Sequence, residues 1–328
     1  MIQGCCLAEN FGAGKMSVPD FFCLNPKYST TRIVTKEQPR IENDPSSKVQ
    51  TELFLPPHSQ RQGEGGLRTN GYFKKTYSNK PLVSVITVVL NGHKYLEQTI
   101  QSVLNQTYDN VEYIIIDGGS TDGTLDIIRK YEHAVDYWVS EPDKGLYDAM
   151  NKAIMLSAGK FLYFLGADDS LFNVLDKISD ALTDDFKICY GNVRKRNNTI
   201  YDGKFNLYKI FKRNICQQAL FYPRNVLIFK GNFNVRYDTA ADYELNLRCW
   251  ADKKIVFEYW PLLIADYGDG GVSSQIKDKK FEKDKAMIIK NNFGAKYHLL
   301  FIARRHIVNF FVKTKTRNLL KKILDFDL

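Results

Sequence analysis

Two adjacent carboxylates follow a run of large apolar residues. The run Phe161–Leu165 predicts a buried strand, and Asp168 and Asp169 come shortly after it. Adjacent acids repel each other, and either one would be costly to bury unpaired. The pair therefore either lies at a solvated loop tip or binds a cation.

Three other predicted strands also end in polar residues. The strand at 82–90 leads to Asn91, the strand at 111–117 ends in Asp117, and the strand at 135–140 leads into SEPDKGLYDAMNKA. One such end alone would indicate only a turn. Four of them at the carboxyl ends of parallel strands predict a ligand site. Since no His or Cys joins them, they suit Mg²⁺ or Mn²⁺ bridging a carboxylate to substrate phosphates.

The segments between these strands predict helices at 95–106, 123–131 and 146–158. Alternating strands and helices predict a doubly wound, mostly parallel α/β sheet with flanking helices. Beyond residue 170 the pattern is mixed, with helices expected at 173–182 and 242–251 and strands at 187–193 and 254–260. We expect this second half to form the other side of the cleft.

The composition is that of a globular protein: 328 residues, 44% hydrophobic and 25% charged. The six cysteines form no Cys-x-x-Cys pair, which disfavours zinc and disulfide sites and favours a reducing compartment. No signal peptide and no apolar run of about 20 residues is visible. We expect a cytoplasmic protein, or one that is peripheral on the inner face of the membrane.

The two ends of the chain differ from its middle. Residues 1–80 include the polar KEQPRIENDPSSKVQ and the Gly-rich RQGEGGLRTNGYFKK, which predict a partly disordered extension or linker. Residues 272–328 hold 14 Lys and Arg against 5 Asp and Glu, matching the net charge of +9 for the whole chain.

We expect a basic, amphipathic helical tail over 275–328. It would either lie on an anionic membrane surface, near a lipid-linked acceptor, or pack on the catalytic domain with its basic face in solvent. The basic residues are not interleaved across exposed aromatics, so we expect no nucleic acid as partner.

Several segments together resemble the family 2 inverting glycosyltransferases, which have the GT-A fold, and in particular bacterial polysaccharide-biosynthesis enzymes. They are VSVITVVLNGHKYLEQTIQSVLNQTYDNVEYIIIDGGSTDGT, SEPDKGLYDAMNKAI and FLGADDS, followed more thinly by QQALFY, DYELNLR and GGVS. The resemblance implies a catalytic domain at 81–274, with a nucleotide-sugar half at 81–171 and an acceptor half at 172–274. It implies transfer from a nucleoside-diphosphate sugar, most often a UDP-sugar, to an acceptor hydroxyl with inversion, in cell-surface polysaccharide or glycolipid synthesis.

The resemblance also implies residue roles. Asp242 matches the catalytic base, Asp169 the metal ligand, and Asp168 a contact to ribose or metal-bound water. The remaining implied contacts are Asp117 to the donor base, with Thr87 to Asn91 lining that pocket; Lys144, Asp148 and Asn151 beside the donor diphosphate and sugar; and Gln217 and Gln218 near the acceptor.

Two positions depart from the family pattern: Gly118 replaces a second acid after the strand, and Ala167 precedes the acid pair. Simpler roles also stay open, since Asp117 could cap a turn and Asp242 could be a helix N-cap. The alternative functions are a nucleotidyltransferase that makes activated sugars and a non-catalytic nucleotide-sugar-binding protein.

Overall fold

The computed structural model describes residues 21–41, 43–268 and 277–313, with the side chains of 307–313 left out. Within this part of the chain, ten strands form one mixed sheet. The strands are β1 (Gly63–Gly65), β2 (Val83–Val89), β3 (Val111–Asp117), β4 (Tyr137–Ser140), β5 (Phe161–Phe164), β6 (Ser170–Leu171), β7 (Lys187–Lys195), β8 (Ile200–Tyr201), β9 (Leu220–Pro223) and β10 (Val256–Tyr267). Their order is β1-β4-β3-β2-β5-β9-β7-β10-β6, and β8 pairs with β7.

Helices flank this sheet. They are α1 (Ser29–Arg32), α2 (Leu96–Leu104), α3 (Thr124–Lys130), α4 (Leu146–Leu156), α5 (Leu175–Ser179), α6 (Leu207–Lys212), α7 (Arg224–Lys230), α8 (Ala241–Trp250), α9 (Lys279–Phe293) and α10 (Ala295–Lys313). Two 3₁₀ turns lie at Arg68–Asn70 and Gln217–Ala219. The predicted helices and strands of residues 81–260 are all present, but α5 is about half as long as predicted and β10 extends seven residues further.

The parallel strands β4, β3, β2 and β5 form the centre of the first half. Every residue of β2 and β3 is buried, as expected for strands covered on both faces. In register, Val83 of β2 lies opposite Val111 of β3 and Phe161 of β5. The carboxyl ends of these strands therefore meet at one edge, which confirms the predicted mostly parallel α/β sheet.

The second half of the sheet is mixed. β9 runs antiparallel between β5 and β7, whereas β7 and β10 are parallel. The β7–β10 register shifts between Tyr259 and Ala265, and the pairing then continues as far as Tyr267. β10 therefore extends well past the predicted end at Trp260. This extension carries Tyr267 to the same edge as the end of β7, where Lys195 pairs with it.

Part of the stretch predicted as an extension or linker adds to the sheet. β1 pairs antiparallel with β4, with Gly63 opposite Ser140. Arg68 is 4% exposed and donates to Glu112 of β3, with a nitrogen–oxygen distance of 2.7 Å. Lys74 is also buried and donates to the carbonyl oxygens of Thr30 and Ile33. The described residues before β2 thus pack on the domain.

The C-terminal helices confirm the predicted helical tail. Phe281 of α9 is 2% exposed and contacts the rings of Tyr237 and Tyr243. Phe301 of α10 contacts the ring of Phe211 in α6, so the first turns of α10 pack on the domain. Within the described residues, no helix has the length and apolar character to cross a membrane. The GGVS segment and the end of the tail lie outside the described residues.

Candidate active site

A cavity of about 810 Å³ opens at the carboxyl ends of β2, β3 and β5. Its wall is completed by the start of α4, the end of β7, the 3₁₀ turn at Gln217–Ala219 and the start of α8. Six of the predicted site residues line it: Asn91, Asp168, Asp169, Gln217, Gln218 and Asp242. Residues from both halves of the predicted catalytic domain therefore meet in one cavity.

Asn91 turns the chain at the end of β2. Its φ of 53° lies in the left-handed region, which Asn tolerates better than most residues. Its side-chain oxygen accepts a hydrogen bond from the backbone N–H of Thr121, and its own N–H donates to Ser120 Oγ. The turns after β2 and β3 are thereby held together at the cavity wall.

Asp169 is buried at the cavity wall and its carboxylate is held by backbone amides. Its side chain accepts from the N–H of Gly268 at 2.7 Å and from the N–H of Gly166 at 3.1 Å. The pKa of Asp169 is raised to about 7, mainly by burial and also by the neighbouring charge of Asp168, while the hydrogen bonds from Gly268 and Gly166 oppose this rise. Asp168 itself is half-buried and lines the cavity.

Gly268 leaves no space for a side chain beside this pair. A Cβ atom at this position would lie 2.5 Å from Asp168 Oδ2 and 2.6 Å from the Asp168 carbonyl oxygen. Glycine is therefore required for the backbone to approach the acids closely enough to donate to Asp169.

The acid pair fits a hard divalent cation. In the part of the chain that the structure describes, no group of three or more His, Cys, Asp or Glu side chains could hold a metal ion. Mg²⁺ and Mn²⁺ are often bound by one or two carboxylates together with substrate phosphates, so two acids suffice. A cation would also offset the cost of burying the Asp169 charge beside Asp168.

Asp242 lines the same cavity from the first turn of α8. Its Oδ1 accepts a hydrogen bond from the Tyr147 hydroxyl at 2.8 Å, and its Oδ2 accepts one from Asn214 Nδ2 at 2.6 Å. Burial raises the pKa of Asp242 to about 6, while these hydrogen bonds favour the ionised form. The helix N-cap is Ala240, so the alternative role of Asp242 as N-cap is wrong.

A second layer of polar groups supports Asn214. Its Oδ1 accepts from Asn246 Nδ2 at 2.8 Å, and Asn246 Oδ1 accepts from the hydroxyl of Tyr222 at 2.7 Å. Asn246 and Tyr222 are fully buried. The orientation of the Asp242 carboxylate is thus fixed from α4, α8 and the core of the sheet.

The structure does not bring Asp117 or Thr87 to the cavity wall. Asp117 is fully buried and accepts hydrogen bonds from the N–H and hydroxyl of Ser120 and from the hydroxyl of Ser140. It therefore holds the turn after β3. Its implied contact to the donor base stays a prediction. Thr87 is also fully buried, and its hydroxyl oxygen accepts from the Tyr113 hydroxyl at 3.1 Å.

Three predicted residues of the α4 region also lie outside the cavity wall. The N–H of Lys144 donates to Asp148 Oδ2, which fixes the start of α4. Asn151 exchanges two 2.9 Å hydrogen bonds with the backbone of Phe233. Their implied role as contacts to the diphosphate and sugar stays a prediction.

Both predicted glutamines line the cavity, and Gln218 lies beside the acids. Gln218 hydrogen-bonds Asp169, which lowers the pKa of that carboxyl group, and its Oε1 accepts from Cys216 Sγ at 3.1 Å. Gln217 is 8% exposed and its amide lies 3.6 Å from the Met150 sulfur atom. Gln218 thus contacts the acid pair itself, while its implied place near the acceptor stays a prediction.

Sequence reasoning missed several residues of the cavity. Tyr147, which donates to Asp242, lies within the segment SEPDKGLYDAMNKAI but was given no role of its own. Asn214 lies in no motif, and Gly268 stands two residues before the GGVS segment. Asp143 and Lys195 also line the cavity, each a few residues beyond a predicted strand. Asp143 lies within the quoted segment SEPDKGLYDAMNKA, and its position after a strand could have found it; for Lys195 the strand-end position was the signal.

Comparison with known proteins shows which family this chain belongs to. The sequence matches the family model "Glycosyl transferase family 2" over residues 84–240. A PGL/p-HBAD biosynthesis glycosyltransferase of Mycobacterium bovis is 37% identical over 215 residues, which cover 62% of this chain and 83% of that protein. The chain belongs to glycosyl transferase family 2. These two matches confirm the predicted family and the predicted enzyme class, a glycosyltransferase.

One further relative and one solved structure are similar to parts of this chain. The putative teichuronic acid biosynthesis glycosyltransferase TuaG of Bacillus subtilis is 43% identical over 93 residues, covering 27% of this chain and 37% of that protein. The structure of S. aureus TarS 1–349 in complex with UDP-GlcNAc superimposes with a TM-score of 0.55 at 18% identity, covering 66% and 69% of the two chains. The latter confirms the GT-A-like fold of this family 2 glycosyltransferase.

Proposed function

We propose that the enzyme transfers a sugar from a nucleoside-diphosphate sugar to an acceptor hydroxyl, with inversion at the anomeric carbon. The observation that carries this proposal is the cavity itself. It is lined both by the Asp168–Asp169 pair and by the half-buried Asp242 carboxylate. The donor diphosphate requires a metal-binding acid pair, and the acceptor hydroxyl requires a base. Transfer requires both groups in the same cavity.

Asp242 is proposed as the general base. The acceptor hydroxyl has a high pKa, so it must lose its proton as it attacks the anomeric carbon on the face opposite the diphosphate. Tyr147 and Asn214 each donate a hydrogen bond to one oxygen of Asp242, which fixes the plane of the carboxylate. Attack from that face inverts the configuration and needs no covalent enzyme intermediate.

Asp168 and Asp169 are proposed to hold Mg²⁺ or Mn²⁺. When bound, the cation would neutralise charge on the leaving diphosphate as a Lewis acid. The chain's own contribution is to fix the two acids, through the amides of Gly166 and Gly268 on Asp169.

The acceptor is proposed to be a saccharide or lipid-linked saccharide of the cell envelope. The names of two relatives, in PGL/p-HBAD and teichuronic acid biosynthesis, support this class. The exposed face of α10 also supports it, since Leu299 and Leu300 are 67% and 57% exposed there, near the exposed Lys296 and Arg305. An apolar and basic face suits an anionic membrane surface.

Donor turnover tests the proposed function. The full chain is incubated with UDP-, GDP- and dTDP-sugars and Mn²⁺, and release of the nucleoside diphosphate is measured. We expect the enzyme to turn over one of these donors, and we expect that donor to be a UDP-sugar. In Asp242→Asn the rate should be about 10²–10⁴-fold lower. Retention of most activity in Asp242→Asn would exclude Asp242 as base, and absence of turnover with every donor would overturn the proposed donor class.

A further inference from the structure

The end of β7 places a lysine in the cavity wall. Lys195 is the last residue of β7, and among the described residues that line the cavity it is the only Lys or Arg. Its carbonyl oxygen accepts from the N–H of Asn198 at 2.8 Å, and its own N–H donates to the carbonyl oxygen of Thr199 at 2.9 Å. The tight turn between β7 and β8 therefore fixes the backbone of Lys195 at the wall.

Tyr201 of β8 positions the lysine side chain. Lys195 Nζ lies 4.5 Å from the centroid of the Tyr201 ring, within the range of a cation–π interaction. The Tyr201 hydroxyl donates to the carbonyl oxygen of Asn214 at 2.7 Å, and the Asn214 side chain donates to Asp242. A continuous chain of contacts thus links the ammonium group to the proposed base, beside which the acceptor hydroxyl must lie.

The ammonium group of Lys195 has no carboxylate partner within the described part of the chain. Other cations of the same region differ from it, since Lys209 and Arg213 both pair with Asp202. Lys195 is also half-buried, so water compensates its charge less well than at the surface. A negatively charged group of a ligand would supply the missing partner.

Two further cations lie at the cavity beside Tyr95, which lines it just before α2. Lys94 and Arg196 lie 4.8 Å and 5.5 Å from the centroid of the Tyr95 ring. Their hydrogen bonds to the hydroxyl lower the pKa of Tyr95. Arg196 directly follows Lys195, so the positive charge continues from the wall to residues of the first half.

The surface beyond the β7–β8 hairpin is basic as well. Residues 195–213 hold six Lys and Arg against one acid, Asp202, a difference of +5. The guanidinium of Arg304 in α10 adds to them, 3.7 Å from the centroid of the Tyr208 ring in α6. Clustered charge of one sign raises the local concentration of ligands of the opposite sign. The six are Lys195, Arg196, Lys204, Lys209, Lys212 and Arg213.

The acids of the cavity wall have other partners. Asp168 and Asp169 are proposed to hold the cation, which would offset their charge. Asp143 pairs with Lys152 at 2.5 Å. Asp242 is the group that must meet a neutral hydroxyl. These acids therefore leave room for one negative charge of a ligand at the end of β7.

We propose that the acceptor is negatively charged, and that Lys195 binds a phosphate or carboxylate group close to the hydroxyl that reacts. This inference rests on the proposed function, because it names the class of acceptor for the same cavity. Arg196 and the basic surface of residues 195–213 would attract the acceptor and orient the rest of its chain. Lys195 thereby selects an anionic acceptor over a neutral one of the same shape.

Calorimetric titration of the full chain with matched oligosaccharides tests this selection. The probes are trigalacturonate with its neutral methyl ester, and a glycerol phosphate trimer with triglycerol. Each is titrated in the presence of Mn²⁺ and of UDP or GDP, whichever binds wild type better. We expect one anionic probe to bind about tenfold or more tightly than its neutral counterpart. The preference should largely disappear in 1 M salt, where the Debye length is about 3 Å.

Two variants assign the preference to Lys195. Lys195→Met should lose it and should keep wild-type affinity for the nucleoside diphosphate, whereas Lys195→Arg should retain most of it because the charge stays. Lys253→Met is the matched control, since Lys253 is an exposed lysine before the start of β10, at the opposite end of that strand from Tyr267. This control should bind every probe as wild type does.

The outcomes separate this inference from the proposed function. If wild type binds neither UDP nor GDP, both are overturned. If it binds one of them but shows no preference for either anionic probe, only the charge of the acceptor is overturned. Weaker nucleoside diphosphate binding in Lys195→Met would place Lys195 at the donor and would also contradict the inference. A preference in one pair alone identifies the bound group as carboxylate or phosphate.

Discussion

Asp242 shows how burial and hydrogen bonding set the properties of one carboxylate. Burial raises its pKa to about 6, and the bonds from Tyr147 and Asn214 keep that pKa from rising further. A base must be ionised to accept a proton, so activity should fall as the pH drops through about 6. In wild type we expect an acid limb with this midpoint in the pH profile of kcat/KM.

Asn214→Ala should move this limb to higher pH. The variant removes a hydrogen bond that stabilises the ionised carboxylate, so the midpoint should rise by about one pH unit or more. The measurement is kcat/KM from pH 5 to pH 9. Asn206→Ala is the control, because Asn206 caps α6 and lies outside the cavity. An unchanged midpoint in Asn214→Ala would show that Asp242 is not the group that titrates.

Gly268→Ala tests the backbone support of the acid pair. The added Cβ would lie 2.5 Å from Asp168 Oδ2, so the backbone must move and Asp169 loses the amide of Gly268. We expect the Mn²⁺-dependent rise in melting temperature with UDP to disappear, because that rise depends on ligand affinity.

Gly71→Ala is the control for a glycine substitution in general. Gly71 has a φ of 76° and open space around it, so the variant should lose about 1–2 kcal/mol of stability and keep the ligand response. A full ligand response in Gly268→Ala would mean that the amide of Gly268 is not needed at the site.

The sequence predicted the acids of the site better than their partners. Asp168, Asp169 and Asp242 lie at the ends of regular elements, where the pattern of apolar residues fixes their position in the chain. Asn214 lies in a loop, and its contact with Asp242 depends on how that loop crosses the cavity. Asp117 was predicted at the wall because it ends a strand, yet Ser120 and Ser140 turn its carboxylate inward.

At the scale of elements, the central strands were predictable and the edge of the sheet was not. β3 spans Val111–Asp117, as predicted, because a continuous buried apolar run has few alternatives. β1 consists of Gly63–Gly65, which has no strand propensity of its own. It forms because β4 offers it a free edge with which to pair. Such pairing depends on the finished sheet and leaves no local pattern.

Arg68 joins β3, α4 and the segment around Leu53, and it should be important for stability. Its guanidinium donates to Glu112 of β3, to the carbonyl of Leu53 and to the carbonyl of Leu156 at the end of α4. Arg68→Met would leave the buried Glu112 charge without its cation. We expect a loss of about 3–5 kcal/mol in the free energy of unfolding, measured by urea denaturation.

A second substitution shows whether the unpaired charge of Glu112 causes the loss of stability in Arg68→Met. Glu112→Gln in the Arg68→Met background should restore part of the lost stability, because it removes the unpaired charge. Arg129→Met is the matched control, since its side chain is 50% exposed and its ion pair should contribute little. A loss in Arg68→Met no larger than that of the control would show that residues before β2 contribute little to stability.

At the scale of the whole molecule, the charge distribution bears on where the enzyme works. Residues 272–328 hold 14 Lys and Arg against 5 Asp and Glu, so the excess charge of +9 lies in the C-terminal part of the chain. One side of α10 packs on α6 through Phe301, while Leu299 and Leu300 remain exposed. The described part of the tail thus packs on the domain, as one alternative predicted, and contact of its exposed face with a membrane stays a prediction.

Sedimentation with lipid vesicles tests that second face. We expect the full chain to sediment with phosphatidylglycerol vesicles but not with phosphatidylcholine vesicles, and to be released by 1 M salt, where the Debye length is about 3 Å. The double variant Leu299→Asp/Leu300→Asp should lose this binding, because it removes the apolar contact and adds negative charge. Val235→Asp, which alters a 57% exposed residue before α8, is the control and should bind as wild type does. Equal sedimentation of the double variant and wild type would exclude this face of α10, and the acceptor would then have to reach the cavity from solution.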